Sequence, residues 1–139
     1  MNIFDIIGPI MVGPSSSHTA GAARIGLAAR TALGHTPDFV RIKLHGSFAH
    51  TYKGHATDRA VIGGLLGFEP EDTRIRESLE IAGKSGMAFE FIPVDIPGAH
   101  PNTIIIEAIG VQGLPISLRG ESLGGGIIST ALIPLGGIV

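Results

Sequence analysis

Residues 38–47 read DFVRIKLHGS. Phe39, Val40, Ile42 and Leu44 are set against Arg41 and Lys43. This near-alternation is the mark of a β-strand with one polar face. It is the first such run in the chain, and what precedes it reads as helix or loop. Upstream, Ser17 to Leu33 reads as a helix, with serine a favoured N-cap and Gly34 the stop. Alanines at 20, 22, 23, 28, 29 and 32 make that helix slim enough to pack closely, while Ile25 and Leu33 supply bulk. Before it, IFDII (3–7) reads as a short apolar turn or helix. Residues 8–14, holding Gly8, Pro9, Gly13 and Pro14, read as a loop.

Downstream, GSFAHTYKGHATD reads as a polar, glycine-interrupted segment. TDRAVIGGLLG (57–67) reads as a helix capped by Thr57 or Asp58. EDTRIRESLEIAG (71–83) is an amphipathic helix pattern, with Ile75, Leu79 and Ala82 on one face. Strand patterns then follow at Met87 to Val94, Thr103 to Val111, Ile116 to Leu118 and Ile127 to Leu132. Turn signals at Pro97-Gly98, 112–115 and 124–126 separate them. Helices come mostly first and strands mostly last. The expected fold is α+β, with a single mixed sheet of four to five strands and two to three helices packed on one face. Residues 1–139 are read as one domain.

The bulk composition narrows the function classes. The chain is 44% hydrophobic and 16% charged, with a mean hydropathy of +0.38. That suits a well-packed core and hints at surface covered by a partner. Net charge is −2, the basic residues are scattered and aromatics are few, so nucleic-acid binding is not expected. No apolar run approaches the roughly 20 residues of a membrane span, and the N-terminus lacks the basic region of a signal peptide. Cysteine is absent. That removes disulfides, cysteine nucleophiles and a self-supplied thiolate cluster, and leans towards the cytoplasm.

Four loop motifs carry groups suited to chemistry. The first is GPSSSHTAGAARIG (13–26), where Ser15, Ser16, Ser17, His18 and Thr19 precede a helix. Free N–H groups and a partial positive charge at a helix start bind small oxyanions, and adjacent hydroxyls add donors. The same residues also read as an N-cap with spare serines. The second is His45-Gly46-Ser47, at the C-terminal end of the 38–45 strand, where ligands commonly sit. A histidine there can serve as acid or base, or simply cap a turn. The third is Lys53-Gly54-His55-Ala56-Thr57-Asp58. Its lysine could pair with a substrate carboxylate, and its aspartate could cap a helix or orient a histidine; a solvated loop is the alternative. The fourth is His100-Pro101-Asn102, where proline would hold both neighbours in place or simply lead into a strand. His35 and His50 read as surface residues. No HExxH-type spacing, P-loop or GxGxxG occurs, and no metal site is expected on this chain.

These motifs together resemble a known family. FDIIGPIMVGPSSSHTAGAARIG, HGSFAHTYKGHATDRAVIGGLLGF and the later HPNT are similar to stretches of the β subunit or β domain of bacterial iron–sulfur-dependent L-serine dehydratases. The resemblance runs from about residue 3 to about residue 130. It implies deamination of L-serine to pyruvate and ammonia through an aminoacrylate. A [4Fe–4S] cluster would assist loss of the β-hydroxyl, held by cysteines of an α subunit or α domain. It further implies a fold similar to the allosteric substrate-binding domain of some phosphoglycerate dehydrogenases. Nothing in the chain reads as the ACT-like domain that some β subunits carry.

On this resemblance the catalytic candidates are His18, His45 and His55. Substrate contacts are expected from Ser15, Ser16, Ser17, Thr19, Ser47, Lys53, His100 and Asn102. The implied partners are L-serine, a cysteine-bearing α portion and further copies of the chain. A competing reading is a non-catalytic sensor for serine or a related anion, which needs donors but no base. A pyridoxal-phosphate enzyme is a third option. None of Lys43, Lys53 or Lys84 has a convincing context for that cofactor.

Overall fold

A computed structural model of the chain describes residues 16–52, 56–110 and 114–135, the side chains of residues 16–18 and 51 excepted. The expected elements at 3–7 and 8–14, and the candidates Ser15, Lys53 and His55, lie outside the described residues, as do the side chains of Ser16, Ser17 and His18.

The order along the chain is α1 (Ser16–Leu33), β1 (Phe39–Gly46), α2 (Ser47–Thr51), α3 (Thr57–Leu65), a 3-10 turn (Thr73–Glu77), α4 (Ser78–Ser85), β2 (Ala88–Val94), β3 (Asn102–Ile109), β4 (Ile116–Gly124) and β5 (Ile127–Leu132). The five strands form one mixed sheet in the order β2-β1-β3-β4-β5. β1 is parallel to β2, and the other neighbouring pairs are antiparallel. The α+β expectation with one mixed sheet is met. Among the described residues there are four α-helices rather than two to three. The additional one, α2, lies in the segment read as polar and irregular, where Phe48 is fully buried and drives the turn inward.

Period-two alternation sorts the sheet faces. Val40, Ile42 and Leu44 of β1 stand opposite Ala108, Ile106 and Ile104 of β3, and all six are fully buried beneath the helices. Burying the valine, leucine and isoleucine side chains among them contributes about 1.5–3 kcal/mol each. Phe39 departs from the expected pattern: it falls on the charged face, its ring beneath the Arg41 guanidinium at 5.7 Å. On that face Arg41 bonds both Glu90 (2.8 Å) and Glu107 (3.2 Å), and Lys43 bonds Glu107 (3.0 Å). The hydrogen bond to Glu90, then that to Glu107, holds the Arg41 guanidinium above its ordinary pKa. Ile105 lies on the same face in register with Lys43 and Arg119 and is fully buried. Long basic side chains cover apolar surface with their methylene stems.

Helix α1 lies against β4 on one side and α3 on the other. Its small residues allow this. A β-carbon on Gly26 would come within 2.3 Å of the Val61 carbonyl oxygen, and one on Gly64 of α3 within 2.1 Å of the Ala23 carbonyl oxygen. The two helix backbones touch at these glycines. Helix α1 ends as expected, with Gly34 at φ 96° and its N–H on the Arg30 carbonyl (2.9 Å).

Other boundaries move. Helix α3 is capped by neither Thr57 nor Asp58. Its cap is Ala56, at φ 70° with no side-chain cap bond. Thr57 is 1% exposed, and Asp58 accepts from the Arg59 N–H (2.7 Å). The 71–83 pattern is broken at Glu77 into the 3-10 turn and α4. The Asp72 carboxylate accepts the Arg74 N–H (2.9 Å) and fixes the tight turn. Ile75 and Ala82 face the core, with Leu79 packed against it, as the pattern required. β4 runs six residues beyond Leu118, to Gly124. His50 is exposed, but His35 is half-buried against Gly110, not a surface residue, and its Nδ1 is enclosed.

Candidate functional site

Strand directions bring several motifs to one end of the sheet. There β1 finishes at Gly46, β3 starts at Asn102 directly opposite it, and β4 ends and turns into β5 through Gly124, Gly125 and Gly126. All three glycines have positive φ, at 105°, 63° and 81°, which suits a turn only glycine adopts without strain. The N-terminal half of α1 reaches the same end. Gly21 lies against Ser122 of β4, and Gly126 faces Ala20 and Arg24. The first turn of α1 carries no acidic side chain, so its positive end is not offset locally. Thr19 is half-buried there.

The HPN turn is tightly held. The His100 Nδ1 accepts the Asn102 N–H (3.0 Å), and the Thr103 hydroxyl donates to the His100 carbonyl (2.7 Å). The Asn102 side-chain amide reaches the Ser122 carbonyl (3.5 Å). The Pro101 carbonyl accepts the Ser47 N–H (2.8 Å) at the start of α2. Gly46, at φ 67°, permits this approach, since a β-carbon there would fall 2.1 Å from the Pro101 oxygen. Ser47 itself is exposed.

His45 is placed differently. Alternation puts its side chain on the charged sheet face with Lys43, whereas Asn102 and Ser122 share the helix face. It is 9% exposed, and its Nδ1 accepts the Ile96 N–H (3.0 Å). A neutral imidazole has one acceptor nitrogen. In both His45 and His100 that nitrogen is occupied by a backbone N–H, so Nε2 carries the proton and the ring can only donate. The described structure therefore joins Ser47, the HPN turn and Ser122 at one end of the sheet, an end that the N-terminal half of α1, with Thr19, also reaches, and it sets His45 on the opposite face.

Sequence reasoning passed over Ser122, Thr103 and Ile96. The alternation of Leu118, Gly120 and Ser122 with Arg119 and Glu121 carried the signal for Ser122. No local pattern marked the Ile96 N–H as a partner of His45, 51 residues away.

Among the described residues no three histidine, aspartate or glutamate side chains gather as a metal-binding group. No helix there is long and apolar enough to cross a membrane.

Comparison with known proteins adds lineage to this geometry. The family model described as serine dehydratase beta chain matches residues 2–88. The chain is 51% identical over 127 residues to the probable L-serine dehydratase, beta chain, of Bacillus subtilis (strain 168), covering 91% of this chain and 57% of that protein. It is 48% identical over 124 residues to the L-serine dehydratase, beta chain, of Peptoniphilus asaccharolyticus, covering 88% and 56%. It is 36% identical over 152 residues to L-serine dehydratase TdcG of Escherichia coli (strain K12), covering 92% of this chain and 33% of that protein. The chain thus spans a little over half the length of the two beta chains and a third of the longer enzyme. With more than half of its residues matched by that model, the chain belongs to the serine dehydratase beta chain family.

Proposed function

We propose that this chain is the β portion of an L-serine dehydratase, a lyase that converts L-serine to pyruvate and ammonia once joined to a cysteine-bearing α portion. The observation that carries this reading is the convergence of the α1 N-terminus and the HPN turn at one sheet end, in a chain of the beta chain family. The longer relative TdcG, named as a whole L-serine dehydratase, is matched over only 33% of its length, which leaves room there for an α portion.

The donors on this chain do not fit an iron–sulfur cluster. It has no cysteine, and the described residues offer no metal-binding group. A [4Fe–4S] cluster would therefore be held by the α portion. The chain's own residues bind and deprotonate. The substrate carboxylate binds at the start of α1, and the sequence motifs supply Ser15, Ser16, Ser17, Thr19 and Lys53 as its proposed ligands. Ser47, Asn102 and the Nε2–H of His100 orient the rest. The Cα proton passes to a base, whose conjugate acid returns a proton to the departing β-hydroxyl so that it leaves as water. The resulting aminoacrylate tautomerises and hydrolyses to pyruvate and ammonia. With His45 and His100 restricted to donation, the base is His18 or His55. The β5 edge, unpaired among the described residues and carrying exposed Ile127 and Leu132, supports self-association or docking of the α portion. A cytoplasmic location belongs to the same proposal.

The same observation on His45 and His100 favours a second reading. Two of the four loop histidines serve the backbone, so fewer remain as bases, and a non-catalytic serine sensor needs none. The proposed likeness to the allosteric substrate-binding domain of phosphoglycerate dehydrogenases belongs with this reading. The experiment is to express the chain alone and with a cysteine-bearing α portion, anaerobically, and to assay pyruvate from L-serine. Activity only in the mixture, lost on exposure to oxygen, supports the dehydratase. An inactive mixture in which the chain still binds L-serine supports the sensor.

A further inference from the structure

We propose that His45 is a positioning residue, whose Nδ1 fixes the loop that delivers His100 and Asn102 to the mouth of α1. This rests on the dehydratase reading above. The connection between β2 and β3, residues 95–101, folds back across the end of β1. It contains a tight turn closed by the Ala99 N–H on the Ile96 carbonyl (3.1 Å), with Gly98 at φ 79°. Two tethers join this loop to the end of β1. Near its start, the Ile96 N–H donates to His45 Nδ1 (3.0 Å), and both residues are buried, at 3% and 9% exposure. At its end, the Ser47 N–H donates to the Pro101 carbonyl (2.8 Å). His45 and Ser47 flank Gly46, so three residues at the junction of β1 and α2 grip both ends of the loop. The turn between the two tethers decides where the HPN residues stand.

A buried backbone N–H that loses its acceptor carries its full desolvation penalty. Removing the His45 acceptor therefore frees the loop start while leaving the Pro101 tether intact. The effect on chemistry is indirect: His100 and Asn102 are displaced, and substrate binding weakens more than turnover.

Three variants separate the bond from the packing. His45→Phe keeps a ring of similar volume without an acceptor. His45→Asn loses volume but places an amide oxygen close to the position of Nδ1. His45→Gln puts its amide nearer to Nε2. Each is joined to the α portion and assayed for pyruvate, and amide hydrogen exchange at Ile96 and Asn102 is measured on the whole chain. We expect His45→Phe to raise KM for L-serine about tenfold with a smaller change in kcat, and to speed exchange at Ile96 by about tenfold or more. His45→Asn restores both towards wild type, and His45→Gln does not. Wild-type KM and exchange in His45→Phe would overturn the proposal. So would a collapse of kcat in His45→Asn with unchanged exchange, because His45 would then act on substrate directly. If the wild-type mixture makes no pyruvate, the dehydratase reading has failed, whereas exchange at Ile96 still reports on the His45 tether.

Discussion

Gly21 of α1 and Ser122 of β4 are in direct contact: a β-carbon at position 21 would lie 2.2 Å from the Ser122 hydroxyl oxygen and 2.8 Å from its Cβ. Ser122 is 2% exposed and its backbone is held in the β4–β5 ladder, so it has little room to yield. Its carbonyl also receives the Asn102 amide. The docking of α1 and the placement of Asn102 therefore share one residue. Gly21→Ala should destabilise the fold by about 1–3 kcal/mol through overpacking. In a Ser122→Gly background the same substitution should cost less. Thermal unfolding of the four variants measures this coupling, and strictly additive losses would contradict the contact.

Glu107 stands between two cations, and only one of them is exposed. Lys43 is 9% exposed at its side chain and Arg41 is 42% exposed. Glu107→Gln leaves a buried ammonium without its counter-charge and should cost about 1–3 kcal/mol. Glu90→Gln breaks only the exposed pair with Arg41 and should cost less than about 1 kcal/mol. Urea unfolding of both variants at neutral pH checks the ranking.

Asp72 gives the 3-10 turn a measurable acid dependence. Hydrogen bonds from the Arg74 side chain, and then from its backbone N–H, lower the Asp72 pKa below its ordinary 3.8. A carboxyl with a depressed folded-state pKa binds protons more readily when unfolded. Its stabilisation is thus complete above pH 3.8 and is lost as pH falls through the lowered folded value. Asp72→Asn keeps an oxygen for the Arg74 N–H but cannot titrate. It should flatten the acid limb of the Tm–pH curve, and a side-chain titration by NMR should place the wild-type Asp72 below 3.8.

If the proposed dehydratase reading holds, the histidines divide into two groups when each is replaced by alanine in the mixture with the α portion. A general base contributes roughly 10²–10⁴-fold to rate. At least one of His18→Ala and His55→Ala should lower kcat by about 10²-fold or more. His45→Ala and His100→Ala should act chiefly on KM. Steady-state kinetics on L-serine distinguishes the groups. Near-normal kcat in both His18→Ala and His55→Ala would remove the base from this chain.

Much of the fold was legible because side-chain period reports the face a residue presents. β5 was read to the residue, since IISTAL follows a glycine turn and Pro134 lies just beyond its end. β4 was cut short at Leu118 because Gly120 and Ser122 are not apolar. They are small because Ile25 and Gly21 of α1 press on them from above. Helix α2 was missed because five residues are too few to show a period, and its reason for existing is the burial of Phe48. Of the candidate site, the HPN motif was read as a turn leading into a strand or holding its neighbours, but the hydrogen bonds from Asn102 to His100 and Ser122 were not visible in the sequence.

The sequence by itself determined where the strands begin to within a residue, the slim helix with its glycine stop, the absence of any cysteine donor and the family. These are local or compositional properties, and each is set by residues within a few positions of one another. The tertiary structure alone decided the strand order β2-β1-β3-β4-β5, the parallel pairing of β1 with β2 and the role of His45. Each depends on which distant backbone groups find one another once apolar faces are buried. A histidine at the end of a strand reads the same whether its ring nitrogen meets a substrate proton or the N–H of Ile96. The fold places Ile96 there, and that N–H occupies the one lone pair a base would need.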